Sequence, residues 1–175
     1  EDGDAIYLLG ETREELGGSE YLHVIHGKKA GKIPMLHWAT EKAVQAAARD
    51  AIKDGVLKSA HDCSDGGLAV ALAECCFAPQ GLRGAKIELN FLPQINTDKT
   101  QIGKDKDNLK QDISVHLCAS VANSSVIRAD ALLFGESASR IIVSVGAIHE
   151  LPLKKIAAHY NAPIQKIGQV GGKNL

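Results

Sequence analysis

The sequence predicts an α+β domain in which helices cover a mixed β-sheet. Strand-like and helix-like segments follow one another irregularly, without the regular βαβ series of a doubly wound parallel sheet. Ala5–Leu9 and Ile141–Val145 are near-continuous apolar runs, the pattern of strands covered on both faces. A chain of 175 residues buries roughly 70% of its unfolded surface on folding, so a core forms without a disulfide or a metal. The expected organisation is one domain over residues 1–175, with an insertion or long loop at about 93–125.

In chain order, Ala5–Leu9 is the first strand, and Glu11–Leu16 is a polar loop or single turn. Ser19 is placed to cap a short helix through Tyr21–His26, with Gly17 and Gly18 just ahead of it. Lys28 to Pro34 is a basic, glycine-containing link; Lys28, Lys29 and Lys32 can meet a phosphate, but suit a solvated loop better. Thr40 is the expected cap of a helix that turns Ala43, Val44, Ala47, Ala51 and Ile52 inward and stops at Gly55.

Val56–Ala60 reads as a short strand and Leu68–Cys75 as a buried helix. Between them lies the polar turn His61-Asp62-Cys63-Ser64-Asp65-Gly66-Gly67, with Ser64 or Asp65 as the helix cap. Ala78–Gly81 breaks the chain, and Ala85–Phe91 alternates with period two, as a half-buried strand does. Mixed charge without apolar periodicity marks the stretch from Pro93 to Ser125 as an insertion or long surface loop, with room for a strand or helix within Ile113–Val121. A short helix then carries a polar turn holding Glu136, Ser137, Ser139 and Arg140 to the start of the strand Ile141–Val145. Pro152–Tyr160 is the last helix, and Ile164–Val170 a closing strand.

Composition removes several function classes. Twenty basic and 21 acidic residues give a net charge of −1, so no bulk field favours nucleic acid or an anionic membrane. No apolar run reaches the roughly 18 residues of a membrane helix, and the first residues do not resemble a signal peptide. The expected location is the cytoplasm. The opening directly on a strand looks like a chain cut from something longer. Cys63, Cys75, Cys76 and Cys118 form no C-x-x-C pair and read as reduced structural thiols. Cys63 alone stands beside a helix start, where a thiol's pKa can fall.

Three turns join glycine and serine to a carboxylate: Gly17-Gly18-Ser19-Glu20, Ser64-Asp65-Gly66-Gly67 and Gly135-Glu136-Ser137. Glycine permits close backbone approach to a ligand, and the hydroxyls and carboxylates suit a hydroxyl, an amine or hydrated Mg²⁺. The same turns also suit ordinary helix caps. His61, Asp62 and Ser64 are too close in sequence to form a relay, no G-x-S-x-G elbow is present, and neither G-x-x-x-x-G-K-[ST] nor G-x-G-x-x-G occurs. His23 and His26 lack a third ligand. No metal site is expected from the chain's own residues.

Three long stretches, Gly10–Tyr21, Ala60–Glu74 and Leu133–Val145, resemble in order the C-terminal domain of the phosphoribosylformylglycinamidine synthase large subunit. That places the chain in the aminoimidazole ribonucleotide synthetase-like superfamily, as a C-type domain, across nearly everything but Pro93 to Ser125. The resemblance implies purine synthesis: formylglycinamide ribonucleotide, ATP and glutamine-derived ammonia yield the amidine, ADP and phosphate. It implies ATP or ADP and Mg²⁺ in the parent enzyme, and as partners the remaining synthase domains, a glutaminase and a small accessory subunit. The catalytic groups are implied to lie on other domains, so no catalytic residue is carried over. The resemblance implies that Glu136-Ser137 matches in place the substrate-holding turn of the other, catalytic C-type domain, but Ala138 stands where that turn continues with Gln. The binding candidates are Gly17, Gly18, Ser19, His61, Asp62, Ser64, Asp65, Gly66, Gly67, Glu136, Ser137, Ser139 and Arg140, with His61 to Gly67 lining a pseudo-symmetric nucleotide cleft. A related selenophosphate, thiamine-phosphate or hydrogenase-maturation kinase domain and a stand-alone binding module are the alternatives.

Overall fold

The computed structural model describes residues 1–78, 81–89 and 127–172. Five strands form the main sheet: β1 (Ala5–Leu9), β2 (Ser59–Asp62), β5 (Ala85–Ile87), β6 (Ile141–Val145) and β7 (Ile164–Val170). Their order is β2-β6-β1-β7-β5. All four pairings are antiparallel, with Leu9 opposite Ile141 on one side of β1 and Ile164 on the other. The α+β class holds, but the sheet is antiparallel where a mixed one was expected. A continuous apolar run reports that both faces of a strand are covered, and is silent on the direction of its neighbours.

Both faces of β1 are covered. Ala5, Tyr7 and Leu9 point to one layer, where α2 (Trp38–Lys53) brings Val44, Ala47 and Ala51 and α5 (Glu150–Tyr160) brings Leu153 and Ala157. Ile6 and Leu8 point to the other, against Leu68, Ala71 and Leu72 of α3 (Gly67–Cys76). The period of two along β1 thus sorts its side chains into two cores. Two shorter helices, α1 (Glu20–His26) and α4 (Ala129–Phe134), sit at the end of the sheet where β6 begins, joined by stacking of Tyr21 on Phe134 at a centroid distance of 4.9 Å.

Several boundaries differ from the sequence expectation. Helix α2 begins at Trp38 rather than after Thr40, because His37 takes an extended conformation and its carbonyl accepts from Glu41 N at 2.9 Å. Ile52 is turned outward and 57% exposed; the adjacent Ala51 takes the inward position. Strand β2 begins at Ser59, not Val56, since the Val56 amide closes the end of α2 on the Ala51 carbonyl at 2.9 Å. His61 and Asp62 are therefore strand residues. Around the expected break at Ala78–Gly81, β3 (Phe77–Ala78) and β4 (Gly81–Leu82) pair as a small antiparallel ladder. Strand β5 stops at Ile87, short of Phe91. The insertion at 93–125, Cys118 and any element within Ile113–Val121 lie outside the described residues. Among the described residues no helix is long and apolar enough to cross a membrane.

Candidate functional site

The three glycine-serine-acid turns, far apart in sequence, meet at one atom. Glu136 Oε1 accepts from the backbone N–H of Gly66 and of Glu20, each at 2.8 Å. The turn after α4 thus supplies the acceptor for the first amides of both α1 and α3, groups that a helix start leaves without an internal partner. A carboxylate there is favoured by the helix dipole as well as by the hydrogen bonds.

Each helix start is built for this. At α1, Ser19 is buried; its Oγ accepts from Leu22 N at 3.3 Å and donates to the Leu16 carbonyl at 2.7 Å, the cap that the sequence predicts. At α3 the expected caps fail. Ser64 Oγ bonds to the Asp62 carboxylate, and Gly66, at φ 80° and ψ 0°, is the cap residue with no side-chain bond to give. Glu136 replaces the missing side chain. Gly67 follows at φ +69°, and a Cβ there would stand 2.5 Å from the Gly135 carbonyl oxygen, so the two turns can approach only through glycine. Gly17 plays the same part on the other side, with the Lys32 carbonyl oxygen 2.0 Å from the place of its Cβ.

The rest of the turn is held from within. Ser137 is fully buried; its Oγ accepts from Arg13 N at 3.1 Å and donates to Arg13 O at 3.2 Å. Ser139, at φ 65°, bonds through its hydroxyl to the Glu41 carboxylate. Arg140 is buried and donates to the carbonyls of Ser137 at 3.0 Å and Gly135 at 2.5 Å and to Thr12 Oγ1 at 3.2 Å. Burial lowers the pKa of its guanidinium, and the nearby Cys63, Glu15 and Glu136 oppose that effect. Arg140 is an internal clasp of the turn.

The His61 to Gly67 stretch stands beside this cluster and is more open. His61 Nδ1 lies 2.7 Å from the Asp62 carbonyl oxygen, and its Nε2 lies 3.6 Å from Glu74 Oε2. The bond from Ser64, foremost, holds the Asp62 carboxyl below its ordinary value. Asp65 is exposed. Cys63 differs from its expectation: burial pushes its thiol up to about 11, because desolvation outweighs the attraction of Arg140. A helix start lowers a thiol's pKa only when the sulfur remains solvated enough to ionise.

A cleft of about 440 Å³ opens on the far side of Gly18, Ser19 and Glu20, with His23, Lys28, Lys29, Ala30 and Gly31 on its walls. Among the described residues no group of three or more His, Cys, Asp and Glu side chains is placed to hold a metal ion. Thr12, Arg13, Glu15 and Glu41 belong to the cluster but escape the sequence reading. Their signal is indirect, since a buried arginine ahead of a strand demands acceptors, and the polar run Glu11–Glu15 is where they would come from.

Comparison with known proteins gives the cluster a family context. The chain is 41% identical over 173 residues to the phosphoribosylformylglycinamidine synthase subunit PurL of Anaeromyxobacter sp. (strain Fw109-5), covering 99% of this chain and 19% of that protein. The chain thus spans about a fifth of the length of the curated relatives it matches. Among solved structures it resembles Thermotoga maritima PurL complexed with FGAR, with a TM-score of 0.66 and 19% identity over 98% of this chain and 24% of that one. It also resembles thiamine-monophosphate kinase from Stenotrophomonas maltophilia K279a, with a TM-score of 0.54 and 16% identity over 99% of this chain and 49% of that one. The fold is common to both enzymes, so sequence separates them. The model of the AIR synthase related protein, C-terminal domain, matches residues 1–175, and the chain belongs to that family.

Proposed function

We propose that the chain is the C-terminal domain of a phosphoribosylformylglycinamidine synthase large subunit and serves that enzyme as a structural wall of a nucleotide cleft. The parent reaction joins glutamine-derived ammonia to formylglycinamide ribonucleotide at the expense of ATP, releasing the amidine, ADP and phosphate in the cytoplasm. The observation that carries the structural role is the use already made of the turn Glu136–Arg140. Its carboxylate holds the amides of Gly66 and Glu20, and its hydroxyls and guanidinium are engaged by Arg13, Glu41, Thr12 and two carbonyls. Substrate would have to displace these bonds.

For a nucleotide the fit is partial. The Gly66 amide is occupied by Glu136, which leaves His61, Asp62, Ser64, Asp65 and Gly67 as a wall without a complete phosphate cradle. Gly18 and Ser19 line a separate cleft with Lys28 and Lys29, and Gly17 stands next to them in the chain. The Mg²⁺ of the parent reaction is proposed to be held by ligands on the other domains. The remaining large-subunit domains, a glutaminase and a small accessory subunit are the proposed partners.

The test is an amidation assay with formylglycinamide ribonucleotide, ATP and ammonia. The 175-residue chain forms no amidine, and a synthase lacking the matching region regains activity when the chain is added. Turnover by the chain alone, or full activity of the synthase without this region, overturns the reading.

A further inference from the structure

The segment Ile33-Pro34-Met35-Leu36-His37-Trp38 carries the largest exposed side chains close together in sequence: Ile33 is 82%, Met35 62%, Leu36 42% and Trp38 68% exposed. It is held in place at both ends. Met35 N donates to Glu15 Oε1 at 3.0 Å, Lys32 lies against Gly17, and Trp38 opens α2, whose Glu41 bonds to Ser139. The side chains stand outward from a backbone fixed to the turn cluster. Ile33 lies within 3.8 Å of the place of a Gly18 Cβ, beside the entry to α1. That helix buries none of its residues and leaves Val24 71% and Ile25 64% exposed. An apolar surface of this kind costs free energy in water and marks an interaction face.

Lysines border it. Lys28, Lys29 and Lys32 are exposed and make no ion pair among the described residues. A partner that fits has an apolar centre and carboxylates at its edge, the usual division between the core and rim of an interface. The family relatives carry about four-fifths of their length outside the region matched here, which supplies such a partner within one polypeptide.

We infer that Ile33–Trp38, with Val24 and Ile25, is the docking face for another domain of the same synthase polypeptide, one that presents an apolar patch rimmed by acidic side chains. This rests on the proposed function and adds to it a place: the contact adjoins the Glu136 cluster, so the docking domain closes the cleft beside Gly18 and Lys28. A docked surface would also hold the basic link rigid.

Met35 and Trp38 are the sole methionine and tryptophan of the chain, and both react readily with hydroxyl radicals when exposed. Footprinting of the 175-residue chain and of the full synthase polypeptide that contains it reads the docking directly. The expected result is labelling of both residues in the chain and protection of at least about tenfold in the full polypeptide. Replacing Lys28, Lys29 and Lys32 together by Glu restores part of the labelling, more at low salt than at high salt. Equal labelling in the two proteins overturns the inference while leaving the amidation assay intact. Protection in the isolated chain that grows with concentration and accompanies a dimer mass overturns it in favour of a second copy. A gene that encodes only these 175 residues overturns it together with the proposed function. Protection unchanged by the lysine substitutions overturns the acidic rim.

Discussion

Glu136 Oε1 lies 2.8 Å from the Gly66 amide nitrogen, so a carboxylate 70 residues further along the chain caps α3 in place of a local side chain. The same oxygen takes the Glu20 amide. Glu136→Ala leaves two helix-start donors without their acceptor and is expected to lower stability by about 1–3 kcal/mol. Glu136→Gln keeps an acceptor oxygen and loses only its charge, at a cost of roughly 0.5–1 kcal/mol. Urea unfolding of both variants checks this; equal losses would show that the bonds to Gly66 and Glu20 contribute little.

Gly67 and Gly55 allow conformation and crowding to be separated. Both have positive φ, +69° and +66°, but only Gly67 has neighbours at the place of a Cβ, with Gly135 O at 2.5 Å and Phe134 C at 2.9 Å. Gly55→Ala should cost about 1–2 kcal/mol for the left-handed conformation alone. Gly67→Ala adds a backbone collision and should cost at least about 2 kcal/mol more, as overpacking of a rigid contact does. Thermal unfolding of the pair decides it, and similar losses would mean that the two turns move apart freely.

Acid should weaken the link between β1, β7 and α5. Tyr7 Oη donates to Glu150 Oε2 at 2.5 Å, and Lys166 Nζ donates to the same oxygen at 2.9 Å. These bonds, that of Tyr7 foremost, hold the Glu150 carboxyl below its ordinary 4.5. A folded-state pKa below the unfolded one stabilises the fold above pH 4.5, and that stabilisation is lost as pH falls through the folded value. Burial first, and then Glu150, raises the Tyr7 phenol, so tyrosinate plays no part near neutrality. Glu150→Gln should cost about 1 kcal/mol at pH 7 and flatten the acid limb of stability against pH. An unchanged acid limb would assign that loss to other carboxylates.

Cys63 should be a slow thiol despite its place beside a helix start. With burial pushing it up to about 11, and Cys75 likewise up to about 11, little thiolate exists at pH 8. Alkylation of Cys63 in the folded protein is expected to run at least about tenfold slower than that of a free cysteine at that pH, and to quicken above pH 10. Because the folded value exceeds the ordinary 9.0, the neutral thiol's contribution to stability is whole below pH 9 and fades as pH rises towards 11. Rapid alkylation at pH 8 with the fold intact would contradict the desolvated position.

The sequence made the strong periodic elements legible. Ala5–Leu9, Ile141–Val145 and Ile164–Val170 fall where their patterns put them, because long apolar runs permit few alternatives. Ser19 is legible as a cap because its partners, Leu16 and Leu22, are each only three residues away. The cap of α3 was not, since its acceptor comes from Glu136, and no pattern around Ser64–Gly67 encodes a partner 70 residues away. Val56 misled for a related reason: its apolar character serves the plug behind α2, not the strand that follows. All three glycine-serine-acid turns were visible in the sequence, but their meeting at one oxygen is a property of the sheet order.

That order bears on synthesis. The central strand, Ala5–Leu9, is among the first parts of this sequence to be made, yet both of its neighbours, Ile141–Val145 and Ile164–Val170, come at the far end. Until those arrive, a nascent chain leaves its most apolar strand with two open edges, the state in which partly folded proteins pair wrongly with one another. Such distant pairing also makes for slow folding. The domain's vulnerable interval is therefore the one between the synthesis of Leu9 and that of Val170.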